Sequence, residues 1–340
     1  MKKLDLTDWQ AYDFSRTGCD VCVIRYGAFG DTIQASSVFP ALKEQGHTVC
    51  FNTTERGYNI VKNNPYLDAV LVQKKDQVPN EKLDDYWNRM ESHFKKVVNL
   101  SETVERSLLC LKESRPVEWN TAFRDLVMSV DYLEGTHAVA GVQGYPYRPF
   151  FYPSNHEDKW AKQFRAELGG KNKVILYALS GSSLHKVWPH MDKIFARLMV
   201  SYDNVKIVTV GDNLCKILEY PWENESRVIR RSGKWSIRQT LSFVPYADMV
   251  IGPETGVMNA ASFLDMPKIL ILSHSSPKNI GGNWKNTTCL IPDGCECYPC
   301  HMLHYSWKSC NRNDLSGVAD CAQKVDPDKM WGAIRRYFNE

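Results

Sequence analysis

The chain contains no apolar run approaching the roughly 20 residues needed to cross a bilayer. The two lysines of its opening MKKLDLTDWQ are followed by no apolar segment of the kind that makes a secretory leader. A cytoplasmic protein without a transmembrane segment is therefore expected. Charge of one sign is also lacking: 42 Lys and Arg against 39 Asp and Glu leave a net +3, spread along the chain. Such a balance carries no strong signal for nucleic acid or an anionic surface, and it excludes neither. No repeat at solenoid spacing is present. Neither glycine turn spells G-x-G-x-x-G, which argues against a dinucleotide-dependent oxidoreductase.

What is present is ordinary in bulk: 340 residues, 43% hydrophobic and 24% charged, enough for two α/β cores. Short apolar runs at 21–24, 48–52, 69–72 and 96–100 read as buried strands, with an exposed helix expected over 73–96. A Pro- and Tyr-rich stretch from Tyr145 to Pro153 reads as a connection. The pattern then restarts, with strands at 173–177, 205–210, 249–251 and 269–272 and helices at 191–202, 237–244 and 256–264. Strands alternating with helices imply parallel sheets. The expected organisation is an N-terminal Rossmann-like domain over 1–150, a second over 151–325, and a C-terminal helix over 326–340. The two are expected to face a central cleft.

Three segments carry chemistry. In VCVIRYGAFGDTIQASSVFPAL, a strand runs into a turn with Gly27 and Gly30, and Asp31 stands at the mouth of a helix, where open α/β sheets place ligands. Asp31 also suits a plain helix cap, with Gln34 completing a capping box. In the second half, KVILYAL leads into Ser180, Gly181, Ser182 and Ser183 and then Lys186, a hydroxyl- and amide-rich loop with one cation suited to phosphate. The strand Met249–Ile251 opens through Gly252 into Glu254, Thr255, Gly256, Val257 and a small-residue helix, again suited to a diphosphate. Asp212 and Trp235 follow on two further strand-to-helix connections, placed to bind ribose hydroxyls and to stack on a base.

In this order and separation, IRYGAFGDTIQASSVFPAL, the segment Ser180–Pro189 and GPETGVMNAASFLDMP resemble the heptosyltransferases, glycosyltransferase family 9. The resemblance implies the GT-B fold and an inverting transfer of a sugar, heptose in the first instance, from an ADP-sugar to a hydroxyl on lipopolysaccharide core sugar or protein Ser/Thr. It implies Asp31 as catalytic base. Lys186 and Ser182, with Ser180 and Gly30 beside the site, would serve the departing diphosphate, which Thr255, Gly256 and Val257 bind through their amides. Asp212 then binds the ribose and Trp235 the adenine, and the catalysis needs no divalent cation. The chain departs from the family at Glu254, where aspartate is usual, and at Asn259, where histidine is usual. The family acid contacts the donor sugar, so Glu254 leaves room for a different one. Arg25, Tyr26, Arg56, Tyr58 and the segment Tyr145–Tyr152 are candidates for the acceptor side. Two other readings remain open: transfer to modified DNA bases, as phages perform, and a non-catalytic sugar-nucleotide-binding protein.

Five of the eleven cysteines fall between Cys295 and Cys321, and in a chain without an export signal that clustering favours a metal over disulfides. Cys297, Cys300, Cys310 and Cys321 are the expected thiolate ligands of a structural iron or zinc. Cys295 is the spare, and His301 and His304 are near enough to substitute. The stretch resembles the cysteine finger of the autotransporter heptosyltransferases. Cys22 and Cys50 are expected in the core.

Overall fold

The computed structural model describes residues 1–338 apart from 75–76, 102–118, 145, 148, 303–306 and 308–309. The chain divides into two compact units, one from Met1–Ser107 and Tyr132–Tyr152, the other from Leu108–Asp131 and Pro153–Glu340. The helix Thr121–Met128 thus groups with the second unit, where Arg124 Nη1 donates to the Cys300 carbonyl at 2.9 Å.

In the first unit, β1 (Lys2–Asp5), β2 (Val21–Ile24), β3 (Val49–Thr54), β4 (Ala69–Gln73) and β5 (Lys96–Asn99) form a sheet in the order β1-β4-β3-β2-β5. Every pairing is parallel. The strands β2 to β4 are buried on both faces, which is why they read as continuous apolar runs. Cys22 and Cys50 lie in the core, beside Ile24, Leu71, Tyr86 and Met90. β2 lies between β3 and β5, so the chain leaves its two sides in opposite directions and opens a switch point there. The helix expected over 73–96 is shorter: a 3₁₀ turn at Asn80–Lys82 precedes an α-helix at Leu83–His93. Pro79, fixed at φ −57°, stands at the boundary.

In the second unit, β6 (Lys173–Ala178), β7 (Val205–Val210), β8 (Val228–Arg230), β9 (Met249–Pro253), β10 (Lys268–Ile271) and β11 (Thr287–Leu290) take the order β11-β10-β9-β6-β7-β8. All pairings are again parallel. This is the doubly wound order of nucleotide-binding sheets, with its switch point between β6 and β9. The C-terminal helix Pro327–Phe338 buries Met330, Ala333 and Ile334 against the same core as Ile175, Ile207 and Ile269. Two parallel α/β sheets match the architecture expected from the sequence. Among the described residues no helix is long and apolar enough to cross a membrane.

Candidate functional site

In the first unit the switch point carries a carboxylate. The backbone leaves β2 through Arg25, whose N–H donates to the Asn52 carbonyl at 3.1 Å and whose carbonyl accepts from Thr53 Oγ1 at 2.8 Å. Gly27 then takes φ +101°, and a Cβ there would sit 2.8 Å from Asp31 Oδ2. Only glycine admits both the backbone turn and the carboxylate over it. The helix Phe29–Ala35 begins with Ala28 as its N-cap, so Asp31 is the third helical residue and not the cap itself. Its Oδ2 reaches back to the Ala28 N–H at 2.8 Å, and its Oδ1 lies 3.2 Å from Arg25 Nη2. That arginine is 1% exposed, and the same Nη2 donates to Tyr132 Oη at 3.1 Å. The Asp31 side chain keeps 26% of its surface accessible. The arrangement is an aimed acid with a buried cation behind it. Gly30, also in this helix, is buried.

Arg25 is therefore behind the carboxylate and not an acceptor-facing side chain. Tyr26 donates through its hydroxyl to Asn52 Oδ1 at 2.6 Å, and Tyr58 carries Lys3 over its ring at 4.7 Å. Arg56 is exposed. In the Tyr145–Tyr152 segment, Tyr145 and Arg148 lie outside the described residues, and Tyr152 packs edge-on against Tyr66.

In the second unit, the predicted donor residues follow the C-terminal ends of four adjacent strands. At β6 and β9, the two sides of the switch point, Lys186 Nζ donates to the Glu254 carbonyl at 2.7 Å. A Cβ on Gly181 would meet Lys186 Cδ at 2.5 Å and Thr255 Cγ2 at 3.3 Å, so the lysine stem and Thr255 close over this glycine. Thr255 is the N-cap of the helix Gly256–Ala261, no side chain caps that helix, and Thr255 Oγ1 is enclosed without a partner among the described residues. The first amides of a helix have no partner within it. Val257 and Gly256 are buried, and Ser182 is exposed.

Next along the sheet, Ser180 Oγ lies 3.1 Å from Cys215 Sγ. Asp212, past β7, accepts through Oδ1 from the Leu214 and Cys215 amides at 2.9 and 3.1 Å. The Gly233 amide, past β8, donates to the Gly211 carbonyl at 3.0 Å and brings the turn before Trp235 alongside. Trp235 is half-buried and stands edge-on to Trp160 and Phe164, with ring centres 5.1 and 5.0 Å away. Aromatic packing thus fixes the indole.

Glu254 differs from expectation. Its carboxylate turns into the interior, 5% exposed, with Oε2 2.5 Å from His274 Nδ1 and Oε1 accepting from Ser275 Oγ. Burial alone would push this carboxyl up; His274, with Lys186 and Ser275, outweighs burial and holds it at about 2. What Glu254 offers to the strand ends is its carbonyl. His274 and His185, 89 positions apart and on different loops, carried no sequence signal; their ring centres lie 4.5 Å apart. Arg25 as the partner of Asp31 was likewise unmarked, except as a cation directly after an apolar strand.

The cysteine stretch forms a small packed patch. Cys295 and Cys321 are buried with Ala319 and Ala322, and Cys297 and Cys310 pack against them. The Cys295 and Cys297 sulfurs are 3.7 Å apart. The Cys295 thiol beside it lowers Cys297 to about 6, whereas burial raises Cys300 to about 12 and Cys310 to about 11. Among the described residues no three His, Cys, Asp or Glu side chains converge as ligands of one ion, so the expected four-thiolate site is not assembled in this structure. Cys310 and Cys321, whose thiols burial raises, pack here as small apolar groups facing alanine and valine. His304 lies outside the described residues, and His301 Nε2 faces Asp125 Oδ1 at 3.3 Å instead of a sulfur.

No protein-family model matches the chain. The chain is similar to lipopolysaccharide heptosyltransferase 1 of Campylobacter coli, 22% identical over 286 residues, which cover 74% of this chain and 83% of that protein. Among solved structures it resembles the ADP-heptose lipopolysaccharide heptosyltransferase II of E. coli, with a TM-score of 0.64 at 12% identity over 94% of this chain and 98% of that one. It also resembles the iron-containing dodecameric glycosyltransferase TibC of enterotoxigenic E. coli, with a TM-score of 0.57 at 12% identity over 100% of this chain and 80% of that one. The resemblance to heptosyltransferases read from the sequence is thus met in both sequence and fold, and the fold is of the GT-B type.

Proposed function

We propose that the chain is an inverting glycosyltransferase that moves a sugar, heptose in the first instance, from an ADP-sugar to a hydroxyl acceptor in the cytoplasm. One observation carries the reading: Lys186 is held across the β6–β9 switch point, in line with Thr255, Asp212 and Trp235 on neighbouring strand ends. That row of groups suits a nucleoside diphosphate: cation and amides for phosphates, an acid for ribose, an indole for a base. The similar proteins described above, heptosyltransferases among them, agree with it.

In this mechanism Asp31 takes the acceptor hydroxyl proton as that oxygen attacks the anomeric carbon from the face opposite the diphosphate. The bond from the anomeric carbon to the diphosphate oxygen breaks, and the electron pair leaves with the nucleoside diphosphate. Lys186, Ser182 and the Thr255, Gly256 and Val257 amides stabilise the charge that develops there, so no divalent cation is required. The acceptor is a lipopolysaccharide core sugar or a protein Ser/Thr. A panel of ADP-, UDP- and GDP-sugars, each with lipopolysaccharide, a serine-rich protein or hydroxymethylated DNA, tests the reading through nucleoside-diphosphate release. Turnover of an ADP-sugar with lipopolysaccharide or protein is expected. Turnover with DNA alone makes this a base-modifying enzyme, and binding without turnover makes it a sugar-nucleotide-binding protein.

The cysteine patch serves in this reading as a structural finger for iron or zinc. Two thiolates bonded at about 2.3 Å to one tetrahedral ion stand about 3.8 Å apart, and the Cys295 and Cys297 sulfurs are already 3.7 Å apart. The expected set, Cys297 with Cys300, Cys310 and Cys321, fills the four positions of a tetrahedral ion with Cys295 beside Cys297 as the spare, and assembling it requires their loops to draw in. Metal analysis of the purified chain is expected to find about one iron or zinc per chain, lost on Cys297→Ser. A chain purified anaerobically with no bound metal removes this assignment.

A further inference from the structure

Behind the strand ends of the second unit lies a buried polar network that the transfer mechanism does not use. His274 sits just past β10, 2% exposed, with Nδ1 2.5 Å from Glu254 Oε2. Its carbonyl accepts from the His301 N–H at 2.7 Å. Its ring lies 4.5 Å from that of His185, which is also 2% exposed. His185 is itself pinned at both nitrogens, Nε2 at 2.9 Å from Ser183 Oγ and Nδ1 at 2.7 Å from Ser273 Oγ. His185 precedes Lys186 in the chain, and Glu254 supplies the carbonyl that Lys186 Nζ holds. One imidazole therefore braces both ends of the lysine: its base through His185, its ammonium through Glu254. Burying a carboxylate and two imidazoles is costly unless each is bonded, and apolar side chains would fill the same volume more cheaply. Glu254 Oε2 and His274 Nδ1 meet here as a close contact without aligned hydrogen-bond geometry, while Glu254 Oε1 and both His185 nitrogens are hydrogen-bonded. A buried polar network of this kind holds a backbone in one position, and such a supporting shell sets the precision of the groups in front of it.

We infer that His274 is a positioning residue that, through the Glu254 carboxylate and the His185 ring, sets where Lys186 meets the donor diphosphate. The inference rests on the donor reading above. It requires that the effect of His274 on diphosphate binding pass through Lys186, a property that a residue needed only for stability lacks.

Calorimetric titration with ADP and AMP tests this on the wild-type chain, His274→Gln, Lys186→Met and the double variant. His274→Gln is expected to weaken ADP by about tenfold and AMP by less than threefold, and to add nothing in the Lys186→Met background, as coupled sites do. Glu254→Gln is expected to give the same pattern and stands in if His274→Gln does not fold. Wild-type affinity in both variants, a further tenfold loss on top of Lys186→Met, or equal losses for ADP and AMP would each overturn the inference. If the wild-type chain binds neither nucleotide, the donor reading itself fails and takes this one with it. If it binds ADP and the coupling is absent, only the role of His274 is lost.

Discussion

Asp31→Asn is expected to lower the rate of sugar transfer by on the order of 10³-fold while leaving ADP affinity within twofold, since a positioned general base contributes roughly 10² to 10⁴. Asparagine keeps the shape and can still accept from the Ala28 N–H, so the turn at Gly27 is preserved. What it loses is the ability to take a proton. The buried Arg25 guanidinium also loses its charged partner and keeps the Tyr132 hydroxyl. Removing one member of such a pair is destabilising, so rates are compared only between samples of matched circular dichroism and monodispersity. Tyr132→Phe serves as the control: it removes the hydroxyl behind Arg25, leaves the carboxylate in place, and is expected to cost far less. An Asp31→Asn chain that retains more than a tenth of wild-type transfer would show that the carboxylate caps its helix and does no more. The distinction is sharp because the capping bond to Ala28 survives the substitution and the basicity does not.

How far the sequence discloses this molecule depends on burial. The central strands β2, β3, β4, β6, β7, β9 and β10 are legible because both their faces are covered, and their apolar runs carry that environment directly. Three of the four edge strands are not; the fourth, Lys96–Asn99, was read from its own apolar residues. Lys2–Asp5 is largely exposed, Val228–Arg230 is three residues long, and Thr287–Leu290 is mostly half-buried, so none has a pattern that separates it from a loop. The donor row was legible at Ser180, Asp212 and Glu254–Val257 because these follow strands that were themselves legible, and a parallel sheet puts all such ends on one edge. Trp235 follows the unread β8 and was marked only by its place just before a helix. The supporting contacts were not. Glu254 and His274 lie 20 positions apart on neighbouring strand ends, and only the pairing of β9 with β10 makes them neighbours. The inward turn of the Glu254 carboxylate follows from that pairing: with His274 and Ser275 beside it, the interior offers bonds the strand end does not. The cysteines illustrate the converse. Their spacing brings Cys295, Cys297, Cys310 and Cys321 into one patch but does not assemble the expected four-thiolate site among the described residues, because spacing fixes proximity and not the angles at which thiols meet an ion.

The second large effect concerns stability. Glu157 and Arg238 join the helices Asn155–Glu167 and Ile237–Phe243 by a bidentate bridge, Nε to Oε1 at 2.5 Å and Nη2 to Oε2 at 2.6 Å. The side chains are 18% and 7% exposed, so little solvent screens them. Glu157 also accepts from the Ser154 amide at 2.7 Å as part of a capping box. Burial would raise this carboxyl, but the Arg238 guanidinium and the Ser154 bonds outweigh it and hold it at about 2, against an ordinary 4.5. Because the folded value lies below the unfolded one, the bridge contributes fully above pH 4.5 and is lost as pH falls from there through about 2. At 1.36 kcal/mol per unit the contribution is about 3 kcal/mol, in keeping with the cost of removing one partner from a buried pair. Arg238→Met is therefore expected to lower the melting temperature at pH 7 by ~6–12 °C in a unit of this size. It is also expected to flatten the acid limb of the stability curve, since Glu157 then titrates nearer its unfolded value. Glu254, held at about 2 as well, loses its contribution over the same window in both proteins, so the variant keeps a reduced slope and not a flat one. A melting temperature unchanged at pH 7, or an acid limb as steep as that of the wild type, would show that the bridge is a surface contact of little consequence. The two readouts must move together, because the charge pairing that depresses the Glu157 carboxyl is the same interaction that holds the two helices.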